Sequence, residues 1–137
     1  MTGNKFKRSK FIKVLKSSTD AAKDFFHDES EIVSRQDFQR RGYSGAHKKC
    51  GVYAYCDSNN VPLYIGQTTG SIFSRKNYPT SNHTKKDWWG KWENVLCFNI
   101  EDESEQRILE ALLILAYKPV GNMKFNGMAL NEMFLVR

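Results

Sequence analysis

The sequence predicts an α+β fold: a small three-stranded antiparallel sheet flanked by helices, with a helical extension at the N-terminus. Three observations carry this expectation. Two short β-prone runs, Gly51-Val52-Tyr53-Ala54-Tyr55-Cys56 and Val61-Pro62-Leu63-Tyr64-Ile65-Gly66, are separated by Asp57-Ser58-Asn59-Asn60. The Asp/Ser/Asn cluster supplies turn chemistry, so the stretch reads as a β-hairpin with strands over 51–56 and 62–67. Val95-Leu96-Cys97-Phe98-Asn99-Ile100 is short, apolar and bounded by polar residues, which predicts a third strand over 94–100. Residues 102–118 form the best helix candidate, ended by Pro119, which has no N–H to continue it.

The remaining elements follow in chain order. Residues 5–17 set Phe11, Ile12, Val14 and Leu15 among six Lys and Arg residues, the pattern of an amphipathic basic helix. Such a helix can dock by its apolar stripe with a solvated lysine face, or serve as an arm that contacts phosphates. Residues 19–41 predict helix in one or two pieces. Thr19 or Asp20 can cap the first, Ser34 with Asp37 has capping-box spacing for the second, and Gly42 is a natural stop. Residues 43–46 read as a linker. After the hairpin, Gln67 to Gly70 turns the chain, Ser71 to Tyr78 predicts a short helix ended by Pro79, and 79–92 reads as a loop with some helix. The tail from Phe125 to Val136 is apolar enough to pack back on the sheet.

With 137 residues, 40% of them hydrophobic, the chain can bury a real core and is globular in composition. No apolar run reaches the length of a membrane span, and Met1 to Lys16 lacks the features of a signal peptide. The three cysteines, Cys50, Cys56 and Cys97, form no CxxC pair and read as free thiols in a reducing, cytoplasmic compartment. Net charge is +6 and uneven: residues 1–50 carry 12 Lys/Arg against 6 Asp/Glu, whereas residues 93–137 carry 4 against 7. The excess before and around the hairpin suits a polyanion. No Gly-rich phosphate loop, HExxH or GxSxG is present.

Taken singly, the polar residues have ordinary readings. At 100° per residue, Ile108, Leu109, Leu112, Leu115 and Ala116 share one side of the 102–118 helix. Glu110 falls beside Gln106, Arg107, Ile114 and Tyr117, where it would pair with Arg107. Tyr53 and Tyr64 would cover a sheet face, and Arg75 would be a helix-surface charge.

Their order changes that reading. Gly51-Val52-Tyr53, then Tyr64-Ile65-Gly66 after ten intervening residues, then Arg75, Glu110, Pro119 and Asn122, resembles the GIY-YIG nuclease family over residues 50–124. Val52 stands where the family name has isoleucine. The resemblance implies a phosphodiesterase, an endodeoxyribonuclease. Its catalytic residues would be Tyr53, Tyr64, Arg75, His83, Glu110 and Asn122, with Gly51, Gly66 and Pro119 shaping the motif. Glu110 would ligate one divalent cation, most simply Mg²⁺, since a hard ion suits a single carboxylate with waters and a phosphate oxygen. Either Tyr53 or His83 would be the general base. Arg75 would hold the scissile phosphate, with Lys76 as a rival.

DNA, in double-stranded form, is the expected partner, and no membrane is. Lys85, Lys86 and Lys91 interleave with Trp88, Trp89 and Trp92, a mixture that can neutralise phosphates and stack on bases. Together with Lys76, Arg40, Arg41, Lys48 and Lys49 they form the expected DNA-binding set, with Trp88 among them. Residues 1–45 would be a basic extension and 46–137 the catalytic domain. A stand-alone nuclease of restriction or bacteriophage type fits this layout, acting as a homo-oligomer on symmetric DNA. A structure-specific repair nuclease, or a non-catalytic DNA-binding module, are the alternatives.

Overall fold

A computed structural model describes residues 2–77 and 82–122, with side chains from residue 5 onward. The fold is α+β, and its sheet has four antiparallel strands rather than the three expected. The elements are α1 (Thr2–Glu29), β1 (Glu31–Ser34), α2 (Arg35–Gln39), β2 (Gly51–Cys56), β3 (Pro62–Thr68), β4 (Asn94–Phe98) and α3 (Glu103–Tyr117). Single 3₁₀ turns occur at Ala46–Lys48, Phe73–Asn77, His83–Lys85 and Asp87–Lys91.

The extra strand is β1, inside a region expected to be helical. It pairs with β4 in the register Glu31↔Cys97 and Val33↔Val95, giving the order β1-β4-β2-β3. Only Val33 of its four residues is buried, so its apolar signal was too short to separate from the neighbouring helices. Tertiary pairing decides this segment. The expected cap at Thr19 or Asp20 is likewise replaced by one continuous helix, and the Thr19 hydroxyl donates back to the Lys16 carbonyl. Ser34 does cap α2, accepting from the Asp37 amide at 3.1 Å. Gly42 does not stop that helix, which ends at Gln39; it takes a positive φ of 80° in the turn beyond. Ser71 to Tyr78 yields only the 3₁₀ turn Phe73–Asn77, and β4 stops at Phe98. The expected packing of Phe125 to Val136 lies outside the described residues.

β2 is the central strand of the site, with β3 on one side and β4 on the other, and all six of its residues are buried. Strand alternation sends Val52, Ala54 and Cys56 to one face and Tyr53 and Tyr55 to the other. The first face packs with Ile65 and Leu96 against Ala22 and Phe26 of α1 and Leu113 of α3. The second packs with Val95 and Cys97 against Phe38, Ile72, Trp88 and Trp92. Residues before 46 therefore enter both cores through Phe26, Val33 and Phe38. The first turns of α1 differ, since Phe11 and Val14 are 59% and 63% exposed. Among the described residues no helix is long and apolar enough to cross a membrane.

The two ends of α1 should respond differently to truncation of a side chain. Phe26→Ala, at a fully buried site, should lower the unfolding free energy in urea by about 3–5 kcal/mol. Phe11→Ala should leave the urea midpoint nearly unchanged.

Candidate active site

Tyr53 lies on β2 directly opposite Gly66 of β3. A Cβ at position 66 would stand 2.5 Å from the Tyr53 hydroxyl and 2.6 Å from its ring carbon Cζ. The absence of a side chain at Gly66 is what lets the phenol lie across the neighbouring strand. Gly51 has a similar local necessity: it has a φ of +146°, and a Cβ there would run into the Phe98 carbonyl.

The Tyr53 hydroxyl sits 2.9 Å from Nε2 of His83, which is buried. The His83 ring is 4.7 Å from Tyr64, and Tyr64 stacks on Trp88 at 5.1 Å and 4°. Arg75, on the Phe73–Asn77 turn, is close enough to alter the ionisation of Tyr53, Tyr64, His83 and Glu110. Five of the expected residues thus occupy one neighbourhood although they come from five elements.

Asn122 acts on backbone. Its side-chain amide accepts from the Ile65 N–H at 2.9 Å and donates to the Ile65 carbonyl at 2.8 Å. The Gly121 N–H donates to the Leu63 carbonyl at 2.7 Å. These bonds occupy the outer edge of β3, between Tyr64 and Gly66, and tie the chain after α3 to the hairpin. Pro119, buried, follows Lys118, whose left-handed backbone (φ 47°) ends α3.

The helical wheel expected Ile108 inside and Glu110 apart from the core side, and both need correction. Ile108 is 62% exposed, whereas Gln106 and Leu113 are fully buried. The buried stripe is centred on Leu113, and Glu110 lies only about 60° from it at 100° per residue. Buried Gln106 explains the misreading, because a polar residue held by a 2.7 Å bond to the Ile100 carbonyl marks the inner side. Arg107 bonds Glu103 rather than Glu110, so the ordinary surface reading of Glu110, a pair with Arg107, is not realised. Glu110 is left to interact with Arg107 and Arg75 through charge alone among the described residues.

Burial controls the protonation of the site. It raises the Glu110 carboxyl to about 7, against the opposing pull of Arg107 and Arg75. It pushes the Tyr53 phenol well above its ordinary value, with Tyr64 adding to the rise and Arg75 opposing it through charge and a hydrogen bond. Tyr64 is raised to about 12, again by burial first. His83 is lowered to about 4 by burial and by the charges of Arg75 and Lys86, so its ring is neutral near pH 7.

The expected DNA-contacting residues separate into two groups. Lys85, Lys86, Lys91, Arg41, Lys48 and Lys49 are exposed, and Lys76 is half-buried. Arg40 is paired with Asp37 and seated over the Tyr43 ring. Trp88 is the correction, being 5% exposed and committed to Tyr64, so it walls the site and has no open face for a base. Trp92 is wholly buried and Trp89 half-buried. Two residues with structural parts in the site were missed by sequence reasoning. Arg35 donates to the Trp89 and Trp92 carbonyls at 2.8 and 2.9 Å, clamping the tryptophan segment. Gly121 leaves room for the Trp88 indole, whose Nε1 would be 2.7 Å from a Cβ there. The only hint for Gly121 was its place beside Asn122.

No family model matches this chain, and neither does any curated protein or solved structure.

The raised Glu110 carboxyl has a consequence for stability. In the unfolded chain it ionises near the ordinary carboxylate value of 4.5, and in the folded chain near 7. Between those values the folded state holds more protons, so this group's contribution falls as pH rises and is most unfavourable above 7. In metal-free buffer, Glu110→Gln should therefore raise the melting temperature relative to wild type at pH 8 and have little effect at pH 4. Thermal melts across that range measure the difference.

Proposed function

We propose that the chain is a metal-dependent endodeoxyribonuclease that hydrolyses phosphodiester bonds, with duplex DNA as substrate. The observation that carries this reading is the convergence of Tyr53, Tyr64, Arg75, His83 and Glu110 on one neighbourhood at the hairpin. The order of these residues in the chain resembles the GIY-YIG nucleases. Their proximity, which that order does not guarantee, supports a common task.

Glu110 fits a hard divalent cation such as Mg²⁺. Its carboxylate is half-buried, holds its proton up to about 7 and lacks a protein hydrogen-bond partner among the described residues. When bound, the cation would supply positive charge opposite the reacting phosphate. The chain's own groups do the rest. Arg75 offers a guanidinium fork to two phosphate oxygens and carries the charge that develops there. The attacking water gives a proton to Tyr53, whose hydroxyl proton passes to Nε2 of His83, 2.9 Å away. Water oxygen bonds to phosphorus, the bond to the leaving oxygen breaks, and that oxygen takes a proton from solvent. A phenol alone is a poor base here because burial raises it. The arriving phosphate brings negative charge beside Arg75, which moves the neutral His83 back towards accepting a proton. Tyr64 fixes the ring of His83 and closes the site with Trp88. Asn122 positions Tyr64 and Gly66 through the Ile65 backbone.

The exposed Lys85, Lys86 and Lys91 and the basic first half of α1 supply cations for a DNA backbone. Cleavage at discrete sites on both strands would then require two protomers, or two successive nicks.

With supercoiled plasmid and Mg²⁺, wild-type protein should give linear or nicked DNA, while Glu110→Ala should bind DNA normally and leave it intact. Cutting by the variant at the wild-type rate in saturating Mg²⁺ would remove Glu110 as the ligand.

Arg75→Ala should reduce the single-turnover cleavage rate by about 10²-fold or more, with a much smaller loss of DNA affinity. An affinity loss as large as the rate loss would reduce Arg75 to a binding contact.

A further inference from the structure

Lys48 and Lys76 come from different turns and meet on one ring. Lys48 Nζ lies 3.7 Å from the centroid of Phe73, and Lys76 Nζ lies 4.0 Å from it. Phe73 is itself held in place by Phe38 at 5.0 Å and by buried His47 at 5.9 Å. No carboxylate lies within salt-bridge distance of either ammonium among the described residues, whereas the neighbouring Arg40 is neutralised by Asp37. Two like charges are therefore gathered on a rigid shelf without compensation.

The cost of that arrangement is visible in Lys76. Its pKa is lowered by partial burial and then by the charge of Lys48. An anion bound by both would offset the repulsion between them. Two atoms that each lie within 4.0 Å of one centroid are at most about 8 Å apart. Both lysines have long, flexible stems, so a phosphate at the rim of the Phe73 ring is within reach of both ammoniums, each giving a charge-assisted bond of ~2.8 Å. The location is equally specific. Lys76 follows Arg75 on the Phe73–Asn77 turn, and Lys48 ends the turn that leads into β2 and Tyr53.

We propose that Lys48 and Lys76, seated on Phe73, jointly hold a backbone phosphate of the substrate strand, next to the phosphate held by Arg75. This rests on the nuclease reading above and adds a second subsite to it. The subsite fixes the strand's register, so that one phosphodiester is presented to Arg75 and its neighbour is anchored. Lys85, Lys86 and Lys91 are exposed and none is seated on an aromatic ring among the described residues, so their contacts would be interchangeable.

The test uses a duplex cut by the wild-type protein, with the cut position mapped by sequencing. Single phosphates within two positions of the cut are replaced, one at a time, by neutral methylphosphonates. Affinity is measured for wild type and for the Lys48→Gln/Lys76→Gln double variant, which keeps both stems. One replacement should weaken wild-type binding about tenfold and leave the double variant's already weakened binding unchanged. Phe73→Leu, which keeps apolar packing and removes the ring, should shrink the same discrimination. A double variant that still discriminates at every position as wild type does would overturn the subsite while leaving the nuclease reading intact. A wild-type chain that neither binds nor cuts DNA would overturn both.

Discussion

The site depends on one contact: the Tyr53 phenol lying across the backbone of Gly66. Adjacent antiparallel strands are only about 5 Å apart, so a large ring can cross to its partner strand only where that strand carries no Cβ. Gly66 meets this condition opposite Tyr53, and the hydroxyl then reaches His83. The same strand cannot yield on its other face, because Val52, Ala54 and Cys56 are buried under α1 and α3. Tyr53 is thus held from both sides of the sheet. Packing density makes such a position stiff, as the proposed proton transfer requires.

Burial that fixes geometry also works against charge. Glu110, Tyr53 and Tyr64 all hold their protons more tightly than in water, and His83 loses its own more easily. Each shift moves a group towards its neutral form; Arg75 opposes the rise on Tyr53 and Tyr64, and Arg107 with Arg75 opposes it on Glu110. In the resting site Tyr53, Tyr64 and His83 are neutral near pH 7, and Glu110 stands at the midpoint of its titration beside the charge of Arg75. On the proposed nuclease reading, a phosphodiester and a cation would each meet groups held near neutrality by burial, and their arrival would redistribute protons among Glu110, Tyr53 and His83.

Much of the sheet was legible because its signals are local. Turn chemistry at Asp57 to Asn60 and the apolar run at Val95 to Phe98 located three strands within two residues. The Ser34 cap was also local and correct. β1 was not legible, since a four-residue strand with one buried side chain is specified by pairing with β4, sixty-odd residues away. The inner side of α3 was misread for a related reason: hydropathy places Gln106 outside, but a single bond to the Ile100 carbonyl makes its burial acceptable. Trp88 shows the reverse. Its neighbours are lysines, which suggests a nucleic-acid face, yet Tyr64 supplies a better surface for its ring than solvent does.

The edge of β3 explains how the distant Glu110 is brought to the hairpin. An edge strand exposes unpaired backbone groups, and here Gly121 and Asn122 satisfy Leu63 and Ile65 from outside. The chain reaches that edge directly from α3, because Lys118 adopts a left-handed conformation and Pro119 prevents further helix. With its C-terminal end pinned there, α3 runs over β3, and Glu110, two turns earlier on the β3 side of Leu113, is carried to Tyr64 and Arg75. Pro119 and Asn122 need not touch a substrate to matter. They anchor the end of the helix that carries the carboxylate to the β3 edge, so the spacing from Glu110 to Asn122 is a length measured along one helix and one turn.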